Sequence, residues 1–297
     1  MGIPYFPGCT LATNAKGYDR SGRAVAQALD LALDELPDWQ CCGATFPLAT
    51  DNSMALIAPT RILNQAQKAG GEVTALCAIC FHVLRRTQYF LEQHPEMLER
   101  INWFTGEPYE GKVKVSHFLE LLRDRLTWQG LNARVTRPLA GLKVAPYYGC
   151  LLLRPQAEIG LDDSDHPRIL HDLLAALGAE VIDFPYQDEC CGSYLLVSRP
   201  ELPQKLAGAI LSSAKKSGAQ AIVTACPLCQ FNLDYPQRIG GGAGLVGESL
   251  PVLYFTQLMA VALGLEPEAW GMENHTVDPR PLFAALPSLQ DKLAERG

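Results

Sequence analysis

The chain has 297 residues, of which 48% are apolar and 19% are charged, and its formal net charge is −7. This composition is typical of folded globular proteins and excludes the disordered and fibrous classes. The negative balance disfavours nucleic acid or an anionic membrane surface as the main partner, because both attract clustered positive charge. At about 100 to 200 residues per domain, the length predicts two domains.

The first residues do not resemble an export signal. Pro4, Pro7, Asn14 and Lys16 interrupt the segment before an apolar core of signal-peptide length can form. We therefore expect a cytoplasmic protein, in which reduced, patterned cysteines serve as metal ligands or redox groups more often than as disulfides. The longest uncharged stretch, residues 249–265, is interrupted by polar residues and is shorter than the about 20 apolar residues of a spanning helix. No integral membrane span is predicted.

Apolar residues recur with helical spacing in residues 21–33 and 53–69, which predicts two helices in the first half. Short apolar segments bounded by Gly or Pro predict buried strands at 73–76, 144–148, 181–184 and 221–224, and residues 249–265 suggest a strand followed by a buried helix. Residues 81–110 are less regular, and no element is assigned there. The alternation of strands and helices predicts an α/β fold with a parallel sheet in each half and cysteines at the strand ends.

The ten cysteines form two sets of five in the same order: a single cysteine, an adjacent pair and a C-x-x-C. The first set is Cys9, Cys41, Cys42, Cys77 and Cys80, and the second is Cys150, Cys190, Cys191, Cys226 and Cys229. The flanking residues repeat too, because PYFPGC (4–9) corresponds to PYYGC (146–150) and ALCAIC (75–80) to TACPLC (224–229). Duplication predicts two tandem pseudo-symmetric domains, residues 1–140 and 141–297.

A set of five thiols is larger than simple metal sites need. A tetrahedral zinc ion takes four ligands and a cubane iron-sulfur cluster takes four thiolates. Neighbouring side chains diverge along an extended backbone, so Cys41 and Cys42 reach different atoms of a large cluster more easily than they reach one ion. The pattern favours a multi-iron centre, and zinc in the second set stays open as an alternative.

The pattern C-x31-CC-x34-C-x-x-C followed by C-x39-CC-x34-C-x-x-C resembles the duplicated cysteine-rich CCG domains in the B subunits of heterodisulfide reductases. The resemblance includes PYYGCLLLRP (146–155), ECCGSY (189–194) and CPLCQFNLD (226–234), and it covers nearly the whole chain. It implies that each set of five cysteines holds one noncubane [4Fe-4S] cluster, with one thiolate bridging irons. The same domain also occurs in thiol:fumarate reductase, glycolate oxidase and lactate-utilisation proteins.

The resemblance implies an oxidoreductase that reductively cleaves a disulfide to two thiols between the two clusters. The substrate would be CoM-S-S-CoB or a related bacterial disulfide. Electrons would come from a ferredoxin-like iron-sulfur subunit, similar to the C subunits of heterodisulfide reductases. A flavin subunit similar to their A subunits would supply electrons to that ferredoxin-like subunit. No flavin or nicotinamide site is needed in this chain.

Residues other than the cysteines give weaker signals. His117 and Tyr254 occupy matching positions of the repeat, each just before an apolar helix, and either could donate a proton to a leaving thiolate, although a structural role is favoured for both. His82 follows Cys80 by two residues and is a candidate hydrogen-bond donor to a cluster sulfur. Lys16, Arg20, Arg23 and Arg154 follow the first cysteine of each set and are candidate ligands for an anionic substrate, or simply solvated side chains.

Two other functions stay open from the sequence. The first is an electron-relay iron-sulfur subunit of a complex that oxidises a 2-hydroxyacid or succinate. The second is a zinc-binding scaffold that assembles partner proteins. Bound iron and labile sulfide would distinguish the disulfide reductase and the electron relay from the zinc-binding scaffold. Disulfide cleavage would distinguish the reductase from the relay.

Overall fold

The computed structural model describes residues 2–44, 53–239 and 249–286. The first half contains a parallel sheet of four strands in the order β2-β1-β3-β4. Its elements are β1 (Ile3–Tyr5), α1 (Gly8–Ala12), α2 (Lys16–Ala28), β2 (Leu33–Glu35), a 3-10 turn (Ser53–Leu56), α3 (Ile57–Lys68), β3 (Glu72–Ala75), α4 (Ala78–Gln93), α5 (Pro95–Thr105), β4 (Lys114–His117) and α6 (Phe118–Asn132), which kinks at Thr127.

The second half contains a parallel sheet in the equivalent order, β6-β5-β7-β8. Its elements are β5 (Lys143–Tyr147), α7 (Gln156–Ile159), α8 (Ile169–Ala176), β6 (Glu180–Val181), a 3-10 turn (Ser193–Leu195), α9 (Glu201–Lys216), β7 (Ala221–Thr224), α10 (Pro227–Asp234), α11 (Pro236–Ile239), β8 (Val252–Tyr254), α12 (Phe255–Ala262), a 3-10 turn (Pro267–Ala269) and α13 (Arg280–Ala284). The predicted α/β class with two parallel-sheet repeats is confirmed.

Two sequence predictions in the first half need correction. The helix predicted at 21–33 lies at Lys16–Ala28, and residue 33 already belongs to strand β2. Residues 81–110, where no element was assigned, are largely helical in α4 and α5. Helix α4 buries Val83, Thr87 and Leu91 on one face, at the i, i+4, i+8 spacing of an amphipathic helix.

The two halves pack through paired helices. Helix α2 contacts α12, α6 contacts α8, and α4 contacts α7. Where α2 meets the segment after α12, the backbones of Gly17 and Gly271 approach so closely that a Cβ atom on either would overlap the carbonyl oxygen of the other. The boundary predicted after residue 140 falls in the connection between α6 and β5 and stays a prediction. Within the described residues, no helix is long and apolar enough to cross a membrane.

Candidate metal centres

Each cysteine set gathers beyond the carboxyl ends of its parallel strands. Cys9 lies in the first turn of α1 after β1, and Cys77 is the N-cap residue of α4 after β3. In the second half Cys226 is the N-cap residue of α10 after β7. Cys80 lies inside the first turn of α4. Parallel sheets place ligands at this edge, where helix N-termini also favour negative charge.

The thiols in each half form an outer pair and an inner pair. In the first half, Sγ of Cys41 lies 3.7 Å from Sγ of Cys9, and Sγ of Cys42 lies 3.8 Å from Sγ of Cys80. The second half repeats this arrangement at 3.7 Å for Cys150–Cys190 and 3.6 Å for Cys191–Cys229. Adjacent cysteines therefore face different partners, and all ten cysteines are free thiols.

The remaining thiol of each set, its deep cysteine, is buried next to the contact between the two halves, because the N–H of Ala78 donates to the carbonyl oxygen of Ala225. Cys77 and Cys226 are 2% and 5% exposed, whereas Cys9 and Cys41 are exposed. The first set is thus open to solvent at its outer pair, whereas Cys150 and Cys190, the outer pair of the second set, are half-buried.

Local hydrogen bonds favour thiolates at Cys42, Cys190 and Cys191, whereas burial raises the pKa of Cys41. The pKa of Cys190 is lowered to about 6 by hydrogen bonding with Cys150 and by the backbone N–H of Gly192, which lies 3.3 Å from the sulfur. Hydrogen bonding with Cys80 lowers the pKa of Cys42 to about 7. These shifts give Cys42, Cys190 and Cys191 the thiolate character that metal ligands need.

The inner partners show the opposite shift. The pKa of Cys80 is raised well above its usual range by hydrogen bonding with Cys42 and Cys77 and by burial, and that of Cys229 is raised by the equivalent groups. Crowded buried thiols cannot all ionise unless positive charge lies among them. Iron ions supply such charge, so the donor set fits an iron-sulfur group.

Glycine permits the backbone to approach the inner thiol in both halves. Gly8 has a φ of +73°, and a Cβ atom there would lie 2.5 Å from Sγ of Cys80. Gly149 has a φ of +63°, and its Cβ would lie 3.3 Å from Sγ of Cys229. Only glycine combines this dihedral angle with this contact.

The thiols of each set are arranged as separate pairs. Across residues 2–44, 53–239 and 249–286, no three His, Cys, Asp or Glu side chains converge on a position that could hold one metal ion. The geometry favours a group large enough to reach separate thiol pairs.

His117 is completely buried at the end of β4, and both of its ring nitrogens are engaged. Its Nε2 lies 2.8 Å from the carbonyl oxygen of Leu76, and its Nδ1 accepts a hydrogen bond from the N–H of Leu119. Burial lowers the pKa of His117 to about 3, so the ring is neutral. This environment suits a positioning role better than proton donation, which stays a prediction.

Tyr254 and His82 also make specific contacts. Tyr254 occupies the position in β8 that His117 occupies in β4, and its hydroxyl donates to Oε1 of Gln230 at 3.3 Å. Nδ1 of His82 lies 3.0 Å from the carbonyl oxygen of Leu151 in the other half, so His82 joins the halves.

The cations proposed as substrate ligands form ion pairs within the protein. Arg20 pairs with Glu273 at 2.6 Å, and Arg23 pairs with Asp19 at 2.8 Å. Arg154 pairs with Asp188 at 2.5 Å. Each of these arginines has a carboxylate partner and Lys16 is an exposed side chain, and their role as anion ligands stays a prediction.

The structure adds residues that sequence reasoning missed. A narrow cleft beside the second cysteine set is lined by Ala78 and Ile79 of the first half and by Tyr148 of the second. The hydroxyl of Tyr148 hydrogen-bonds Nδ1 of His171 at 2.6 Å. Tyr18 lies where the halves meet, and no local sequence signal singles it out.

Comparison with known proteins gives a consistent family assignment. Residues 3–85 and 144–234 match the CCG cysteine-rich domain. The chain is 32% identical over 277 residues to the 8-methylmenaquinol:fumarate reductase membrane anchor subunit of Wolinella succinogenes, covering 92% of this chain and 96% of that protein. It is 29% identical over 286 residues to the B subunit of the ferredoxin/F420H2-dependent CoB-CoM heterodisulfide reductase of Methanosarcina acetivorans, covering 93% of each.

A solved structure shares the fold. A hypothetical protein from Helicobacter pylori superposes with a TM-score of 0.73 at 12% sequence identity, covering 93% of this chain and 51% of that chain.

Proposed function

Because the chain belongs to the CCG cysteine-rich domain family, we propose that it is the iron-sulfur subunit of a heterodisulfide reductase-like complex that cleaves a disulfide to two thiols. The observation that carries this proposal is the repeated thiol geometry. Each half has an outer pair, an inner pair and one deep cysteine, with Sγ–Sγ distances of 3.6 to 3.8 Å within the pairs. Two equivalent centres suit a reaction that takes two electrons.

All ten cysteines would hold the metal, five for each centre. The proposed group is one noncubane [4Fe-4S] cluster per set, and when bound it supplies two redox centres, each able to pass one electron at a time. The chain's own residues bury the inner thiols and direct the backbone N–H of Gly192 at Cys190. The narrow cleft between Ala78 and the second set is the proposed approach for a substrate sulfur.

The proposal includes partner subunits and a location. Reductive cleavage consumes two electrons and two protons per disulfide, and we propose that a flavin subunit delivers the electrons through a ferredoxin-like subunit. Relatives of this chain are named as subunits of reductases, which supports assembly into a complex. The cytoplasmic location expected from the sequence belongs to the same proposal, and the reducing conditions there would keep the cysteines available as metal ligands.

Metal analysis tests the first part. After anaerobic purification we expect about eight iron atoms and a matching amount of labile sulfide per chain, because two four-iron groups would be bound. The matched variants Cys42→Ser and Cys191→Ser should each lose about half of this iron, each from its own half. Zinc without sulfide would contradict the proposal.

An assay with reduced viologen and a panel of disulfides tests the reaction itself. We expect thiol formation that depends on bound iron and is lost in both serine variants. A second candidate is an electron-relay subunit of a fumarate- or succinate-linked complex, which the 32% identity to the methylmenaquinol:fumarate reductase subunit favours. Iron-loaded protein that exchanges electrons with a quinol analogue and cleaves no disulfide would favour the relay.

A further inference from the structure

The two C-x-x-C turns touch each other directly. The backbone N–H of Ala78, which follows Cys77, donates to the carbonyl oxygen of Ala225, which precedes Cys226, at 3.1 Å. If the repeat were exact, a second hydrogen bond would run in the opposite direction, from the backbone N–H of residue 227 to the carbonyl oxygen of Leu76. Residue 227 is proline, which has no N–H, so the carbonyl of Leu76 cannot receive that bond.

Side chains take the place of the missing donor. The hydroxyl of Tyr18 lies 2.6 Å from the carbonyl oxygen of Leu76 and 3.3 Å from that of Ala225, so one phenol contacts both turns. Nε2 of His117 also lies 2.8 Å from the carbonyl oxygen of Leu76. Because Leu76 and Ala225 each precede the first cysteine of a C-x-x-C, Tyr18 bridges equivalent points of the repeat.

An aromatic stack reinforces this bridge. The rings of Tyr18 and Tyr254 are parallel within 2°, with centroids 4.0 Å apart, and both side chains are buried. Burial raises the pKa of each phenol, and the nearby thiols of Cys77 and Cys226 raise it further. The hydroxyl of Tyr18 contacts the carbonyl oxygen of the residue before each deep cysteine, so both deep cysteines lie close to the tyrosine pair.

We propose that Tyr18 is a positioning residue that fixes the separation of the two metal centres by tying the C-x-x-C turns together. Its hydroxyl holds the turns, and its ring stacks on Tyr254. This inference rests on the proposed function only in taking Cys77 and Cys226 as ligands of separate centres. A fixed separation serves either two-site disulfide cleavage or electron relay, so the inference does not depend on which reaction occurs.

Tyr18→Phe tests the inference because it removes the hydroxyl and keeps the stacked ring. Tyr5→Phe is the matched control: Tyr5 is also completely buried, but its hydroxyl donates to Asp19 within the first half. The first readout is hydrogen exchange of the Ala78 amide in the full chain. We expect exchange roughly tenfold faster in Tyr18→Phe, the effect of losing one buried hydrogen bond on a local opening, and no change in Tyr5→Phe.

The second readout is the magnetic coupling between the two centres, measured by electron paramagnetic resonance in iron-loaded protein. We expect weaker coupling in Tyr18→Phe at unchanged iron content and unchanged coupling in Tyr5→Phe. Ala78→Pro is a second variant, because proline is accepted at the first position of a helix and stands at the equivalent position 227. It removes the direct donor and should weaken the coupling too.

If the Ala78 amide exchanges at the wild-type rate in Tyr18→Phe, with or without bound metal, the inference is overturned. A shift in exchange or coupling in Tyr5→Phe as large as that in Tyr18→Phe also overturns it. Failure to cleave any disulfide would instead count against the proposed function alone, since both readouts are taken without substrate.

Discussion

Gly8 and Gly149 occupy equivalent positions beside the inner thiols but leave different amounts of space. A methyl group at Gly8 would lie 2.5 Å from Sγ of Cys80, whereas one at Gly149 would lie 3.3 Å from Sγ of Cys229. Gly106 also has a positive φ, of +68°, but no atom lies within 4 Å of its Cβ position. Alanine variants at these three positions therefore distinguish the free-energy cost of a left-handed backbone from the cost of displacing a thiol.

We expect a graded result for alanine at these positions. Gly106→Ala should lose about 1–2 kcal/mol of unfolding free energy, the cost of a left-handed backbone for an L-residue, and keep all bound iron. Gly8→Ala should also lose iron from the first half, and Gly149→Ala should lose less. Urea unfolding and iron content per chain measure the two effects. Equal iron content in all three variants would contradict a close fit of backbone to thiol.

His117 makes stability depend on pH. Burial lowers its folded-state pKa to about 3, whereas an unfolded histidine titrates near about 6.5. Between these values the unfolded chain binds a proton that the folded chain does not. The contribution of His117 to stability is therefore complete above about pH 6.5 and is lost as the pH falls, by at most about 1.4 kcal/mol per pH unit.

The variant His117→Gln should flatten this dependence. We expect its unfolding free energy to fall less steeply than that of the wild type between pH 6.5 and 4, because one protonation linked to unfolding is removed. His94→Gln is the matched control, since the side chain of His94 is 46% exposed. Denaturant unfolding at several pH values gives the slopes. A wild-type slope in His117→Gln would show that another group binds the proton.

At the scale of elements, the cysteine spacing was the most informative part of the sequence. The gap of 34 residues between the adjacent pair and the C-x-x-C is the same in both halves, and its described residues contain one α-helix and one strand in each half. Turn signals and buried strands predicted the parallel sheets and placed the cysteines at their ends. The gathering of each set could therefore be predicted without coordinates.

Helix boundaries were harder to predict. Leu29, Leu31 and Leu33 continue the apolar pattern of α2, so periodicity alone extended the helix to residue 33. The chain turns at Asp30, which has a φ of +60°, and Leu33 then pairs with Ile3 in the sheet. Tertiary pairing at the sheet edge decides this boundary, and hydrophobic periodicity contains no information about it.

At the scale of the whole molecule, contacts between the halves complete the candidate site. Tyr18 and Tyr254 are 236 residues apart, and Ser21 lies 2.7 Å from Thr256 through their hydroxyl oxygens. These contacts follow from how α2 packs on α12, which depends on the shapes of two folded halves. For this reason the sequence predicted the two thiol sets but not the tyrosine between them.

Gly17 tests how closely the halves must pack. It lies in α2, where alanine normally adds about 0.5–1 kcal/mol of stability relative to glycine. The backbone of Gly271 occupies the space that a Cβ at Gly17 would need, and a backbone cannot rotate away as a side chain can. We expect Gly17→Ala to lower the unfolding free energy by about 1–3 kcal/mol, as overpacking of a core does.

Gly130→Ala is the matched control for this prediction. Gly130 also lies in a helix, α6, and its Cβ position is 3.5 Å from Oγ1 of Thr127, an ordinary van der Waals distance. The same substitution should therefore stabilise the protein at position 130 and destabilise it at position 17. Urea unfolding of both variants gives the sign directly. If Gly17→Ala were as stable as Gly130→Ala, the halves could separate at this contact without cost, and the packing of α2 could not hold the two thiol sets at a fixed separation.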